Sequence, residues 1–149
     1  MQRSRIFLPD INVWIAIWWS GHIHHPSAKK WFGTVERGGA AFCRITQMGF
    51  LRLITNRRVM GEDVLSQKHA WEIYDKIARD KRVIFVSEPE NLESTWKRFT
   101  QSRFSGTNVW ADAYLAALAT LHGLTLVSFD RGFTDRQGLD WIHLLEQDN

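Results

Sequence analysis

The chain has 149 residues, with 19 Lys and Arg against 16 Asp and Glu, a formal net charge of +3. Its apolar content of 44%, including 8 Trp and 9 Phe, supplies a sizeable core and excludes a mainly disordered chain, while a single cysteine, Cys43, excludes a disulfide scaffold. The longest apolar run near the N-terminus, residues 13–19, is far short of a membrane span, and no secretory leader is visible, so a cytoplasmic protein with no membrane partner is expected.

Residues 5–9 are a strand candidate ended by Asp10, and residues 12–19 read as a helix. A polar stretch with His22, His24 and His25 follows. Pro26 and Ser27 then open a helix toward Val35, because proline in a first turn gives up only an N–H that would be unpaired there. Gly38 and Gly39 break that helix ahead of a strand candidate over 40–44. Phe50, Leu51 and Ile54, at three-and-four spacing, indicate a helix over 46–55. Ser66 is a natural cap for a helix over 66–78, whose apolar stripe is Ala70, Ile73, Ile77 and Ala78. The run RVIFV at 82–86 is unbroken β-branched and aromatic, the pattern of a strand buried on both faces. A helix over 89–100, an alanine-rich helix over 109–121, a strand over 124–129 and a short strand over 141–144 complete the order. No repeat, low-complexity tract or linker divides the chain, so one domain over 1–149 is expected. Strands alternating with helices imply an α/β fold, a three-layer α/β/α sandwich around a largely parallel sheet.

Three aspartates stand out within that frame. Asp10 and Asp130 lie just past strands, and Asp112 lies in the first turn of the alanine-rich helix. A crossover helix runs antiparallel to the strands it joins, so its start lies at the edge where the strands end. All three carboxylates therefore belong to one edge, where open α/β sheets bind ligands. Each has a plainer role on its own: Asp10 as a helix cap, Asp112 as a complement to a helix dipole, Asp130 as the start of a turn with Arg131 and Gly132. Gathered together they repel one another unless a cation joins them, and hard oxygen donors suit Mg²⁺ or Mn²⁺. Asn12 and Ser128, each two residues from one of the aspartates, are placed to orient a carboxylate or a water.

The segments FLPDINVWIA (7–16), FCRITQMGFLRLITN (42–56), WADAYLAALA (110–119) and LVSFDRGF (126–133) together resemble the PIN-domain ribonucleases, in particular the VapC toxins of bacterial toxin–antitoxin pairs. The resemblance implies a compact α/β/α domain and a Mg²⁺- or Mn²⁺-dependent endoribonuclease that leaves 5′-phosphate and 3′-hydroxyl ends. It also implies a cognate antitoxin that restrains it, and a homodimer. Asp10, Asp112 and Asp130 fall on the family's metal-binding positions, with Asn12 and Ser128 on its small polar ones. One departure stands out: the glutamate expected on the helix after the second strand corresponds to Gly49, and the nearby Gln47 offers only a neutral amide oxygen.

RNA must be held beside an acidic edge, and Arg44, Arg52, Arg57, Arg58 and Arg131 are the candidate phosphate contacts. Arg131 is favoured because it adjoins Asp130, with a salt bridge there as the other reading, and the Arg57–Arg58 pair reads more simply as a solvated helix end that complements the dipole. The three histidines read as a polar loop and helix start rather than as ligands. Trp14, Trp18, Trp31 and Trp71 sit at core spacing; Trp18 and Trp19 are adjacent, so one of them is expected to be left for a partner surface. Trp110 adjoins Asp112 and is a candidate for the active edge, and Cys43 reads as a buried strand residue. Two further readings fit the same carboxylates: a metal-dependent nuclease acting on DNA, and a catalytically silent RNA-binding module, for which the missing glutamate argues.

Overall fold

The computed structural model describes residues 5–101, 108–133 and 138–145. Five strands run in it: β1 (Phe7–Pro9), β2 (Ala40–Phe42), β3 (Val83–Phe85), β4 (Thr125–Ser128) and β5 (Trp141–His143). All neighbouring pairs are parallel, in the order β3-β2-β1-β4-β5. The helices are α1 (Ile11–Trp18), α2 (His25–Phe32), α3 (Arg44–Ile54), α4 (Arg57–Met60), α5 (Gln67–Ala78), α6 (Leu92–Gln101) and α7 (Val109–His122). This is the expected three-layer α/β/α sandwich.

Alternation along the strands builds a core on each face of the sheet. Phe7, Ala40, Phe42, Val83 and Val127 face one core with Trp14, Phe32, Phe50 and Tyr74 from α1, α2, α3 and α5. Leu8, Ala41, Ile84 and Leu126 face the other, with Leu92 and Phe99 of α6 and Leu115 and Leu118 of α7. Trp14 stacks flat on Phe42 with ring centroids 3.9 Å apart, anchoring α1 to β2. On the opposite face, small side chains of α7 (Ala113, Ala116, Ala117, Ala119) let that helix lie close to the sheet, and Gly123 ends it in the left-handed conformation at φ 68°.

Several local expectations change. The strand at 82–86 is not buried on both faces: β3 is an edge strand, and Phe85 is 43% exposed. Cys43 is buried, but it stands one residue past β2 and caps α3 in a reciprocal arrangement with Thr46, so the helix starts earlier than apolar spacing indicated. Arg57 and Arg58 do not close that helix. They begin α4, capped by Asn56, at the end where the dipole does not favour cations. Ser66 caps α5 through the His69 N–H as expected, but Tyr74 is buried in the core and Ala78 is exposed. Trp71 is not a core residue, at 50% exposure. Trp18 and Trp19 both pack against one core, because Trp19 leaves the helical path at φ −92°, ψ 114° and donates its indole N–H to Asp63 at 2.9 Å. No helix among the described residues is long and apolar enough to cross a membrane.

Candidate active site

The strand order fixes where a site belongs. The chain steps from β1 outward to β2 and β3, then returns to place β4 on the other side of β1. The crevice at such a reversal opens between the ends of β1 and β4, and those ends carry Asp10 and Asp130. α7 starts at the same edge with Asp112 in its first turn. All three carboxylates line one cleft of about 410 Å³, together with Asn12, Ile45, Gly49 and Arg52.

Asp10 keeps its plain role and gains another. Its Oδ1 accepts the Ile11 N–H at 2.8 Å, capping α1, and its Oδ2 accepts the Ser128 hydroxyl at 3.0 Å. The Ser128 oxygen in turn accepts the Asp130 N–H at 2.9 Å and an N–H of Asn12 at 3.5 Å, while Asn12 Oδ1 accepts the Phe129 N–H at 3.4 Å. One buried hydroxyl thus locks the ends of β1 and β4 together. Asp130 Oδ1 accepts the Gly132 N–H at 2.9 Å, the turn its sequence suggested. Among the described residues nothing donates a hydrogen bond to the Asp112 carboxyl.

The electrostatics follow from this packing. Burial pushes the Asp10 carboxyl above its ordinary value, opposed by the donors Ile11 and Ser128, and the Asp130 charge raises it further. Asp112 is pushed up to about 7, first by burial and then by the charges of Asp10 and Asp130. Asp10 and Asp112 thus both feel the charge of neighbouring carboxylates. Yet among the described residues no three His, Cys, Asp or Glu side chains are gathered tightly enough to ligate an ion unaided. They frame a cleft rather than pinch a point. An all-oxygen donor set of mutually repelling carboxylates fits a hard dication that keeps part of its water shell.

Gly49 lies on the cleft wall, and an ideal Cβ built there would stand 2.1 Å from Ile11 Cδ1 and 2.7 Å from its Cγ1. Ile11 therefore fills the space a fourth acid at this position would need. Gln47 does not replace it: its side chain is buried, its carbonyl oxygen accepts an N–H of Arg44, and it does not line the cleft. Arg44 also stands outside the cleft, its guanidinium 4.9 Å from the centre of the Phe85 ring. Arg131 is exposed in the short turn after Asp130 and likewise is not on the wall. Among the described residues the cation that lines the cleft is Arg52, and Asn56 and Asn108 line it too. A sequence signal for this existed, since Gly49, Arg52, Leu53 and Asn56 recur at the spacing of one helix face.

Trp110 does not line the cleft. It is 65% exposed and meets Trp96 edge-on at 6.2 Å, its carbonyl accepting the Trp96 indole N–H at 2.9 Å. The three histidines pack the connection between α1 and α2, and none of them lines the cleft. His24 stacks on Phe129 at 4.7 Å, His22 accepts the His24 N–H at 3.0 Å, and a ring nitrogen of His25 lies 2.7 Å from the Ala16 carbonyl. Burial lowers the His22 pKa, with the charges of His24 and His25 acting the same way.

Comparison with known proteins identifies the family. The PIN domain family matches residues 7–139. Ribonuclease VapC41 of Mycobacterium tuberculosis is 39% identical over 140 residues, covering 91% of this chain and 96% of that protein. Ribonuclease VapC39 of the same organism is 30% identical over 139 residues, covering 93% and 98%. Among solved structures, the DNA-bound VapBC of Salmonella typhimurium superposes with a TM-score of 0.67 at 14% identity, covering 93% of this chain and 98% of that one. VapC20 of Mycobacterium tuberculosis, described as a sarcin-ricin loop cleaving toxin, superposes with a TM-score of 0.64 at 18% identity, covering 86% and 92%. With three acidic side chains in one cleft at the strand reversal, and relatives of this closeness over nearly their full length, the chain belongs to the PIN-domain family, among its VapC ribonucleases.

Proposed function

We propose that this protein is a toxin-type endoribonuclease, dependent on Mg²⁺ or Mn²⁺, that hydrolyses RNA phosphodiester bonds to 5′-phosphate and 3′-hydroxyl ends. The observation that carries the reading is the shared cleft of Asp10, Asp112 and Asp130, in which Asp112 is pushed to about 7 by burial and by its two acidic neighbours. These three residues would hold the cation. A bound dication supplies an activated water and neutralises charge growing on the phosphoryl oxygens.

The chain's own residues do the positioning. Ser128 fixes Asp10 and the backbone of Asp130 relative to one another, and Asn12 keeps the Ser128 hydroxyl oriented. The Gly132 N–H restrains Asp130. Asp112, with no hydrogen bond from the described residues, is the carboxyl left to adjust to the ion. Arg52, which lines the same cleft, offsets the acidic field and meets the RNA phosphate, a role in which it replaces Arg44. Arg131 remains a candidate for a flanking phosphate, and Gln47 for holding Arg44 in place.

Its membership of the VapC ribonucleases supports a cognate antitoxin partner, and on our reading this partner restrains the protein, which works as a cytoplasmic homodimer. One observation favours a silent RNA-binding module instead, namely that Ile11 has closed the space of a fourth acid. Expression with and without the product of the adjacent small gene, followed by mapping of new RNA 5′ ends, separates the two. Growth arrest with new 5′ ends, both relieved by the partner, is expected; RNA binding without cleavage at any Mn²⁺ concentration refutes the enzyme reading.

A further inference from the structure

A second hollow of about 440 Å³ adjoins the carboxylate cleft, and Ile45 forms a wall of both. Its other walls include Arg44, Met48, Phe85, Glu88 and Tyr114. Two of these are apolar side chains left open to solvent, Met48 at 56% and Phe85 at 43% exposure. The Arg44 guanidinium lies 4.9 Å from the centre of the Phe85 ring, so a delocalised cation and an aromatic face stand together in one hollow.

The rim is held in place. Val86 N–H donates to the Phe42 carbonyl at 2.8 Å, and a ring nitrogen of His122 meets the Ser87 carbonyl at 2.8 Å. The Tyr114 hydroxyl donates to Glu88 Oε1 at 2.9 Å, which fixes the carboxylate; its Oε2 is bonded by none of the described residues. Fixed acceptors beside a flat apolar and cationic wall are the parts from which proteins build a site for an unstacked base.

We propose that this hollow is a base-recognition site that takes a guanine of single-stranded RNA, one nucleotide away from the phosphate in the carboxylate cleft. The inference rests on the ribonuclease reading above. The Arg44 guanidinium, backed by the Phe85 ring beneath it, supplies the stacking face, and Glu88 reads the edge. Guanine is the base with two adjacent N–H donors, N1–H and N2–H, on its Watson–Crick edge, which match a carboxylate acceptor. Uracil, adenine and cytosine each leave that acceptor short of a donor.

The test uses labelled pentaribonucleotides that differ only in one central base, with binding read by fluorescence anisotropy in EDTA at low ionic strength so that no cleavage intervenes. The unaltered chain is expected to bind the G pentamer about tenfold more tightly than the other three. Glu88→Gln should abolish that preference, bringing the four affinities within about twofold of one another, and Arg44→Ala should weaken all four about tenfold. Glu88 is exposed, so its variant remains informative even if the Arg44 change harms folding. Equal or absent binding of the four pentamers by the unaltered chain, or a G preference that survives Glu88→Gln, overturns the proposal. Selective binding with no cleavage when Mn²⁺ is then added would leave the base site standing and refute the ribonuclease reading alone.

Discussion

Replacing Asp112 with Asn should make the metal-free protein more stable at neutral pH and leave it unchanged at acid pH. The carboxyl is pushed from 3.8 to about 7 by burial and by the charges of Asp10 and Asp130. Between those values the unfolded chain releases the proton while the folded chain holds it, so metal-free stability falls as pH rises through that window. At full value the rise corresponds to about 4 kcal/mol. Asp112 is only half-buried, and solvent screening brings the expectation to about 2 kcal/mol. Asn has the shape of the neutral acid and carries no charge at any pH. Thermal unfolding in EDTA should therefore show Asp112→Asn melting about 4–8 °C above the unaltered chain at pH 8, with the gap narrowing below pH 7 and closing only near pH 3.8. Added Mn²⁺ should raise the unaltered chain's melting temperature and move the variant's much less. A variant no more stable than its parent at pH 8, or a gap of equal size near pH 3.8, would refute the claim that burial and its acidic neighbours disfavour the Asp112 charge.

Gly49→Glu should destabilise the chain by about 1–3 kcal/mol in urea titrations, because its Cβ meets Ile11, and combining it with Ile11→Ala should recover most of that loss. Ser128→Ala should lose about 1–3 kcal/mol and weaken Mn²⁺ binding in calorimetry, since it strips Asp10 of a donor and leaves the Asp130 N–H unpaired. Arg52→Gln should raise KM for RNA with little change in Mn²⁺ affinity, and the salt dependence of RNA binding should fall by about one phosphate contact.

The layers and the edge of the site were legible because they depend on order alone. Once β1, β4 and α7 are recognised by pattern, parallel pairing leaves Asp10, Asp112 and Asp130 no other edge. What the sequence concealed depends on side-chain direction. Arg44 and Arg52 look alike as basic residues of one helix, but Arg44 begins it, beside the edge strand, and turns to Phe85 and Gln47. Arg52, on the helix face shared with Gly49, reaches the cleft. Trp18 and Trp19 misled because helical periodicity was extended one residue too far, and Trp19 sits where the helix has ended. The run at 82–86 looked doubly buried because its residue types were read without knowing that β3 has a neighbour on one side only. The Ile11–Gly49 contact joins two helices and has no signature in either segment alone.

Cleavage of RNA across a Mn²⁺ titration, with the unaltered chain beside Asp10→Asn, Asp112→Asn and Asp130→Asn, tests the three-carboxylate centre most directly. The expected result is hydrolysis that requires the ion, is abolished by EDTA, and falls at least about a hundredfold in each variant. Cleavage that persists in EDTA, or that survives all three substitutions, would contradict it.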